Sequence, residues 1–197
     1  HDVALVEDDV YGDLLFDDTR PIPAQFLGSK ARILTCGSFS KTASPGYRIG
    51  WVVSQHIDDV ARLKRAFSCS SGLLQQLTLA EFMASGDYSR HLKSLKPVLQ
   101  RNSERMLALV SEHFPAETRT SRPVGGAVLW LELPKNIDAE RLFDDASGAG
   151  ISIAPGPIFS PCACYTNFIR LSYGHPWTQK TEDAIRWLGQ RVVTLTA

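Results

Sequence analysis

The stretch Cys36–Trp51 (Cys-Gly-Ser-Phe-Ser-Lys-Thr-Ala-Ser-Pro-Gly-Tyr-Arg-Ile-Gly-Trp) constrains this chain more than any other. It follows a strand-like run, Arg32–Cys36, and its end merges into another, Tyr47–Val53. Between the two lies a polar loop with Lys41, several hydroxyls and a Pro-Gly pair, and Arg48 comes seven positions after the lysine. Burying either cation without a partner costs several kcal/mol. The chain must therefore fold so that two adjacent strands present this loop to solvent or to an anion.

Composition narrows the class. The chain is 197 residues long, enough for one domain or two small ones. Lys+Arg and Asp+Glu balance at 21 each, so no overall field favours nucleic acid or an acidic surface. No apolar run approaches the ~20 residues of a membrane-crossing helix. Cys36, Cys69, Cys162 and Cys164 match no zinc-ligand spacing. They are expected as free thiols in a reducing cytoplasm.

Read in order, Val3–Val6 is an all-apolar run expected in a strand buried on both faces. Glu7, Asp8 and Asp9 follow at its carboxyl end, the usual ligand position in open α/β sheets. Phe16–Lys30 reads as loop with one helical turn. Gln55–Phe67 is expected as an amphipathic helix with Ile57, Val60, Leu63 and Phe67 on one face, and Leu73–Ser85 as a more apolar one. Asp87–Phe114 is a long helix that Pro97 is expected to bend or interrupt. Further on come a strand opened by Gly125-Gly126 (126–133), a helix (138–147), strands at 151–154 and 167–173, and a closing helix (178–195). The opening segment looks like the second half of a doubly wound sheet. Strands begin without the strand–helix units that would precede them, so the chain is expected to be a piece of a longer protein.

Two chemistries suit the loop. Ser38-Phe-Ser-Lys41 has the Ser-x-x-Lys spacing of penicillin-recognising acyl-transfer enzymes, but no Ser-Asp-Asn element accompanies it. The alternative treats Lys41 as an amine nucleophile toward an aldehyde, with Arg48 and the serines as an anion cradle. An aldehyde carrying a phosphate satisfies both, and pyridoxal 5′-phosphate is such a molecule.

At these residues the chain resembles a known family. Ser38-x-Ser-Lys41 with Gly46-x-Arg48-Ile-Gly-Trp51 is similar to the cofactor-lysine segment of fold-type I, pyridoxal-phosphate-dependent aminotransferases. Val6–Tyr11, Ile151–Ser160 and Asn167–Tyr173 resemble three more of its elements, in the same order. The nearest resemblance is to the aminotransferase-like domain of MocR-type regulators in the GntR group of transcription factors. The resemblance implies an α/β, pyridoxal-phosphate-transferase-like fold: an incomplete large-domain sheet followed by a C-terminal α+β small domain. Its expected divisions are residues 1–86 for the large domain, 87–115 for a bridging helix and 116–197 for the small domain.

The same resemblance implies roles. Lys41 forms the internal aldimine with the cofactor, and an amino acid or amine binds by aldimine exchange at this lysine. Asp8 pairs with the pyridine nitrogen and Tyr11 with the ring's phenolic oxygen. Ser38, Ser40 and Arg48 hold the phosphate, and Arg170 clamps a substrate α-carboxylate. Read without the resemblance, Asp8 could cap a helix, Tyr11 could be a core aromatic, Arg170 could simply face solvent, and the glycine pair could be a bulge. Asp8 and Asp9 lack a third ligand for a metal. The family's glycine/serine-rich phosphate loop, ring-stacking aromatic and asparagine near the ring oxygen would lie ahead of residue 1, so weak or absent cofactor binding is expected of these residues alone. Other expectations are a homodimer, DNA contact only through a domain outside this chain, and no membrane association. A free-standing transaminase and a catalytically inert dimerisation module are the competing readings.

Overall fold

A computed structural model describes residues 3–17, 19–28, 31–162 and 164–196. They form two compact units, His1–Lys96 and Pro97–Ala197.

In the first unit, strands β1 (Leu5–Asp8), β2 (Ile33–Ser38) and β3 (Gly50–Ser54) form one sheet in that order. β1 runs parallel to β2 with Asp8 opposite Cys36, and β3 runs antiparallel to β2 with Gly50 opposite Ser38. Gly37 lies opposite Trp51, whose indole occupies the space a β-carbon at Gly37 would need. The loop expected within 16–30 contains a short 3₁₀ turn at Ala24–Phe26. Three helices follow: α1 (Ile57–Ser68), α2 (Leu73–Ala84) and α3 (Asp87–His113).

One expectation needs correction, and two others are refined. β1 is not buried on both faces: Leu5 and Val6, which point to opposite faces, are 46% and 63% exposed. It is an edge strand whose one sheet partner among the described residues is β2. The helical periodicity of α1 is real, yet its apolar face is open, with Leu63 and Phe67 exposed. Pro97 does not interrupt α3, which continues through it. A mid-helix proline costs about 3 kcal/mol. Leu99, Met106 and Val110, all buried beyond it, each return roughly 1.5–3 kcal/mol, so continuation wins.

The second unit takes the later turns of α3 and adds an antiparallel sheet of β4 (Arg119–Thr120), β5 (Val128–Glu132), β7 (Phe168–Ser172) and β6 (Ala154–Pro155), in that order. Helices α4 (Ala139–Gly148) and α5 (Gln179–Thr196) complete it. Strand alternation is strict. Leu129, Leu131, Ile169 and Leu171 are buried on one face, and Trp130 and Arg170, paired in register, lie on the other. Leu142 and Ala146 of α4 and Ile185, Leu188 and Val192 of α5 fill the core. A β-carbon at Gly189 would sit 2.5 Å from the His113 carbonyl oxygen, so only glycine lets α5 approach α3 there. The buried Asn102 amide donates to the carbonyls of Tyr173 (3.1 Å) and His175 (3.2 Å). Asp138 caps α4 by accepting from the Glu140 and Arg141 amides, and Gly126 enters β5 with φ +81°. The strand expected at 151–154 is confined to Ala154–Pro155, at the sheet edge where proline's missing N–H costs nothing.

Candidate functional site

Strand direction assembles the first unit's candidates. Because β1 and β2 are parallel, their carboxyl ends open at the same edge of the sheet, and antiparallel β3 begins there. Asp8 ends β1 and Tyr11 follows it. Ser38 ends β2, and Ser40 and Lys41 follow. Arg48 stands two residues before β3. One edge thus receives all six residues singled out between Asp8 and Arg48.

Local hydrogen bonds shape the lysine loop. The Ser38 hydroxyl accepts from the Ser40 amide (3.1 Å) and reaches the Ile49 carbonyl (3.4 Å). Ser44 accepts from the Gly46 amide and starts a 3₁₀ turn, Pro45–Tyr47. Arg48 ends that turn in the left-handed region, φ +51° and ψ +37°, and its guanidinium donates to the Ser40 hydroxyl at 3.4 Å. Lys41 is exposed, and neither it nor Arg48 has a carboxylate partner among the described residues. Two uncompensated cations and two hydroxyls at one edge make a site for an anion.

Asp8 is exposed and accepts from the Val10 amide at 3.2 Å. That is a turn within its own loop, not a helix cap. Tyr11 is half-buried and precedes the 3₁₀ turn Gly12–Leu14.

Around these loops is a set of contacts that the sequence did not disclose. Arg20 forms ion pairs with both Asp9 and Asp13, the latter at 2.6 Å. Burial works against the Arg20 charge, but the two carboxylates outweigh it and raise its pKa above the ordinary guanidinium value. The Tyr88 hydroxyl, from the first turn of α3, donates to Asp13 at 2.7 Å. Burial pushes this phenol up to about 12, with Asp13 adding to the rise and Thr42 and Arg20 opposing it. Glu7 is tied down separately, accepting from the Ala24 amide and the Thr35 hydroxyl (2.8 Å).

In the second unit Arg170 is exposed, on the β7 face opposite Ile169 and Leu171. Its guanidinium lies 4.5 Å from the centroid of the Phe159 ring. Trp130, its cross-strand neighbour, meets Phe159 and Tyr165 edge-on and stacks on Phe168, with centroids 5.5–5.6 Å apart. Arg170 thus lies over an aromatic surface that leaves its N–H fork open to an acceptor. Sequence spacing gave no sign that Phe159 lies beneath it.

The chain matches a known family. The sequence model described as aminotransferase class I and II matches residues 1–186, and the chain belongs to that family. Its curated relatives include two kinds. The uncharacterised HTH-type transcriptional regulator YjiR of Escherichia coli is 34% identical over 193 residues, which cover 98% of this chain and 41% of YjiR. The 2-aminoadipate transaminase of Thermus thermophilus is 31% identical over 201 residues, covering 99% of this chain and 50% of the enzyme. Among solved structures, T. thermophilus LysN, an α-aminoadipate aminotransferase complexed with N-(5′-phosphopyridoxyl)-L-leucine, superposes with a TM-score of 0.90. It is 29% identical, over 98% of this chain and 51% of LysN. The chain therefore spans about half or less of each of these relatives. No described helix is long and apolar enough to cross a membrane.

Proposed function

We infer that these residues are the pyridoxal-phosphate-binding, aminotransferase-like effector region of a MocR-type regulator. The observation that carries the cofactor assignment is the parallel pairing of β1 and β2, which delivers Asp8 and Lys41 to one edge. The donor set there suits a phosphorylated pyridine aldehyde. Lys41 would hold the aldehyde carbon. Ser38, Ser40 and Arg48 would hold the phosphate through charge-assisted hydrogen bonds. The Asp8 carboxylate would keep a proton on the ring nitrogen, and the Tyr11 hydroxyl would donate to the ring oxygen. When bound, pyridoxal phosphate supplies an electron sink for chemistry at an amino acid's α-carbon. Arg170 is assigned the α-carboxylate of an amino-acid ligand, because its fork is free and its plane rests on Phe159.

In this reading residues 1–86 are the later part of a large domain, 87–115 a bridging helix and 116–197 a small domain. The protein is a cytoplasmic homodimer that reaches DNA only through a segment outside these residues. The regulator reading draws its support from relatives such as YjiR. A free-standing transaminase is the second reading, supported by the 2-aminoadipate transaminase match.

The test uses the full-length protein. Added pyridoxal phosphate should produce the visible absorbance of a lysine-bound cofactor, and Lys41→Ala should abolish it. No such absorbance in the wild type, or an undiminished band in Lys41→Ala, overturns the assignment. Turnover of an α-amino acid to its 2-oxo acid decides for the enzyme. A ligand-dependent change in DNA affinity without turnover decides for the regulator.

A further inference from the structure

We propose that the first turn of α3, through Tyr88 and His91, with Arg20 as its partner, is a positioning clamp that sets the Asp8–Tyr11 loop against the Lys41 loop. The inference rests on the cofactor assignment above, but it concerns residues that touch neither cofactor nor substrate in that assignment.

One side of the clamp grips the loop after β1. Asp9 and Asp13 bracket Tyr11, and Arg20 binds both carboxylates, closing the segment into a ring around the tyrosine. Gly12 lies inside this ring. A β-carbon there would meet the Asp9 carboxylate and the Arg20 guanidinium, so a larger residue would have to displace the ends of those two side chains. Tyr88 then ties Asp13 to α3 at 2.7 Å, across 75 positions of sequence.

The other side grips the loop after β2. The Tyr88 ring meets Phe39, between Ser38 and Ser40, edge-on at 5.8 Å. One helical turn later, His91 Nε2 donates to the carbonyl of Thr42, next to Lys41, at 2.9 Å. Phe82 of α2 packs against both Tyr88 (6.0 Å) and His91 (6.2 Å) and backs the pair. A single rigid helical turn therefore touches both loops that would meet the cofactor. Neither loop has another helix of the described residues bonded to it in this way. Loops gain positional precision from such rigid supports.

The decisive variant is Tyr88→Phe, which keeps the ring contacts and deletes only the hydroxyl. Measured on the full-length protein, it should weaken pyridoxal-phosphate binding by about tenfold. It should also shift the pH profile of the bound cofactor's visible band, because Asp8 and Tyr11 set that profile. In the cofactor-free protein, amide hydrogen exchange at Val10–Leu14 should speed up while the thermal midpoint changes little. Arg20→Gln should do the same, and because both residues share Asp13 the effects of the double variant should depart from the sum of the single ones. If Tyr88→Phe does not fold, Asp13→Asn supplies the same readouts. Unchanged affinity, pH profile and exchange in folded variants overturn the clamp while leaving the Lys41 assignment intact. Failure of the wild-type band overturns the cofactor assignment itself, and the exchange measurement then still decides whether the clamp orders the loop.

Discussion

The two units hold their shape by different means. Of the buried apolar side chains among the described residues, 18 belong to the second unit and only Leu14 and Leu79 to the first. The exposed large apolar side chains run the other way, 15 in the first unit and 7 in the second. The second unit is an ordinary core: a sheet face, two helices and the later turns of α3. The first is tied by polar contacts, among them the Arg20 ion pairs, the Tyr88–Asp13 hydrogen bond and the Glu7 anchor. The lesson concerns where precision comes from. A packed core fixes a unit as a whole, whereas directional contacts fix particular loops, and the Asp8–Arg48 candidates lie in the unit that relies on the latter.

This contrast can be tested, beginning with the largest effect. Leu142→Ala removes a fully buried side chain of the second unit and should cost about 2–5 kcal/mol in denaturant unfolding. The matched change Leu63→Ala, on the open face of α1, should stay within about 0.5 kcal/mol. Equal losses would break the distinction. Next is Asn102→Ala, which removes the amide that donates to the Tyr173 and His175 carbonyls and should cost about 1–3 kcal/mol by the same measurement. A negligible loss there would mean that the second unit's core does not depend on its polar anchor. The smallest effect is alkaline. The Tyr88 phenol ionises at about 12 in the folded chain and at its ordinary value of 10.0 when unfolded. Between those values the unfolded chain gives up the proton first, so stability present below pH 10 should fall as pH rises toward 12. Asp13, Arg20 and Thr42 are the groups facing the phenol, and Tyr88→Phe should flatten this part of the curve.

Legibility in the sequence follows the same division. In the second unit, period-2 and period-3.6 patterns correspond to buried faces, so β5, β7, α4 and α5 lie within a residue or two of where the pattern puts them. In the first unit the patterns are equally clear but their faces are open, as Leu63 and Phe67 show, and apolar periodicity alone does not say what will cover a face. The candidate site was legible as residue types around Lys41, because an unpaired lysine and arginine among serines is hard to place in a core. What was not legible is the support. Tyr88 and Asp13 lie 75 positions apart and carry no shared motif, and only the fold brings them together. Phe159 beneath Arg170 was hidden for the same reason.

Arg48 carries a further consequence. Its φ of +51° is a backbone state that glycine enters freely and that costs a branched-out side chain about 1–2 kcal/mol. Arg48→Gly should therefore yield a sturdier polypeptide that grips phosphate less well. Screening this protein for heat resistance alone would reward that exchange, and the most robust survivors would be the ones least able to hold their ligand.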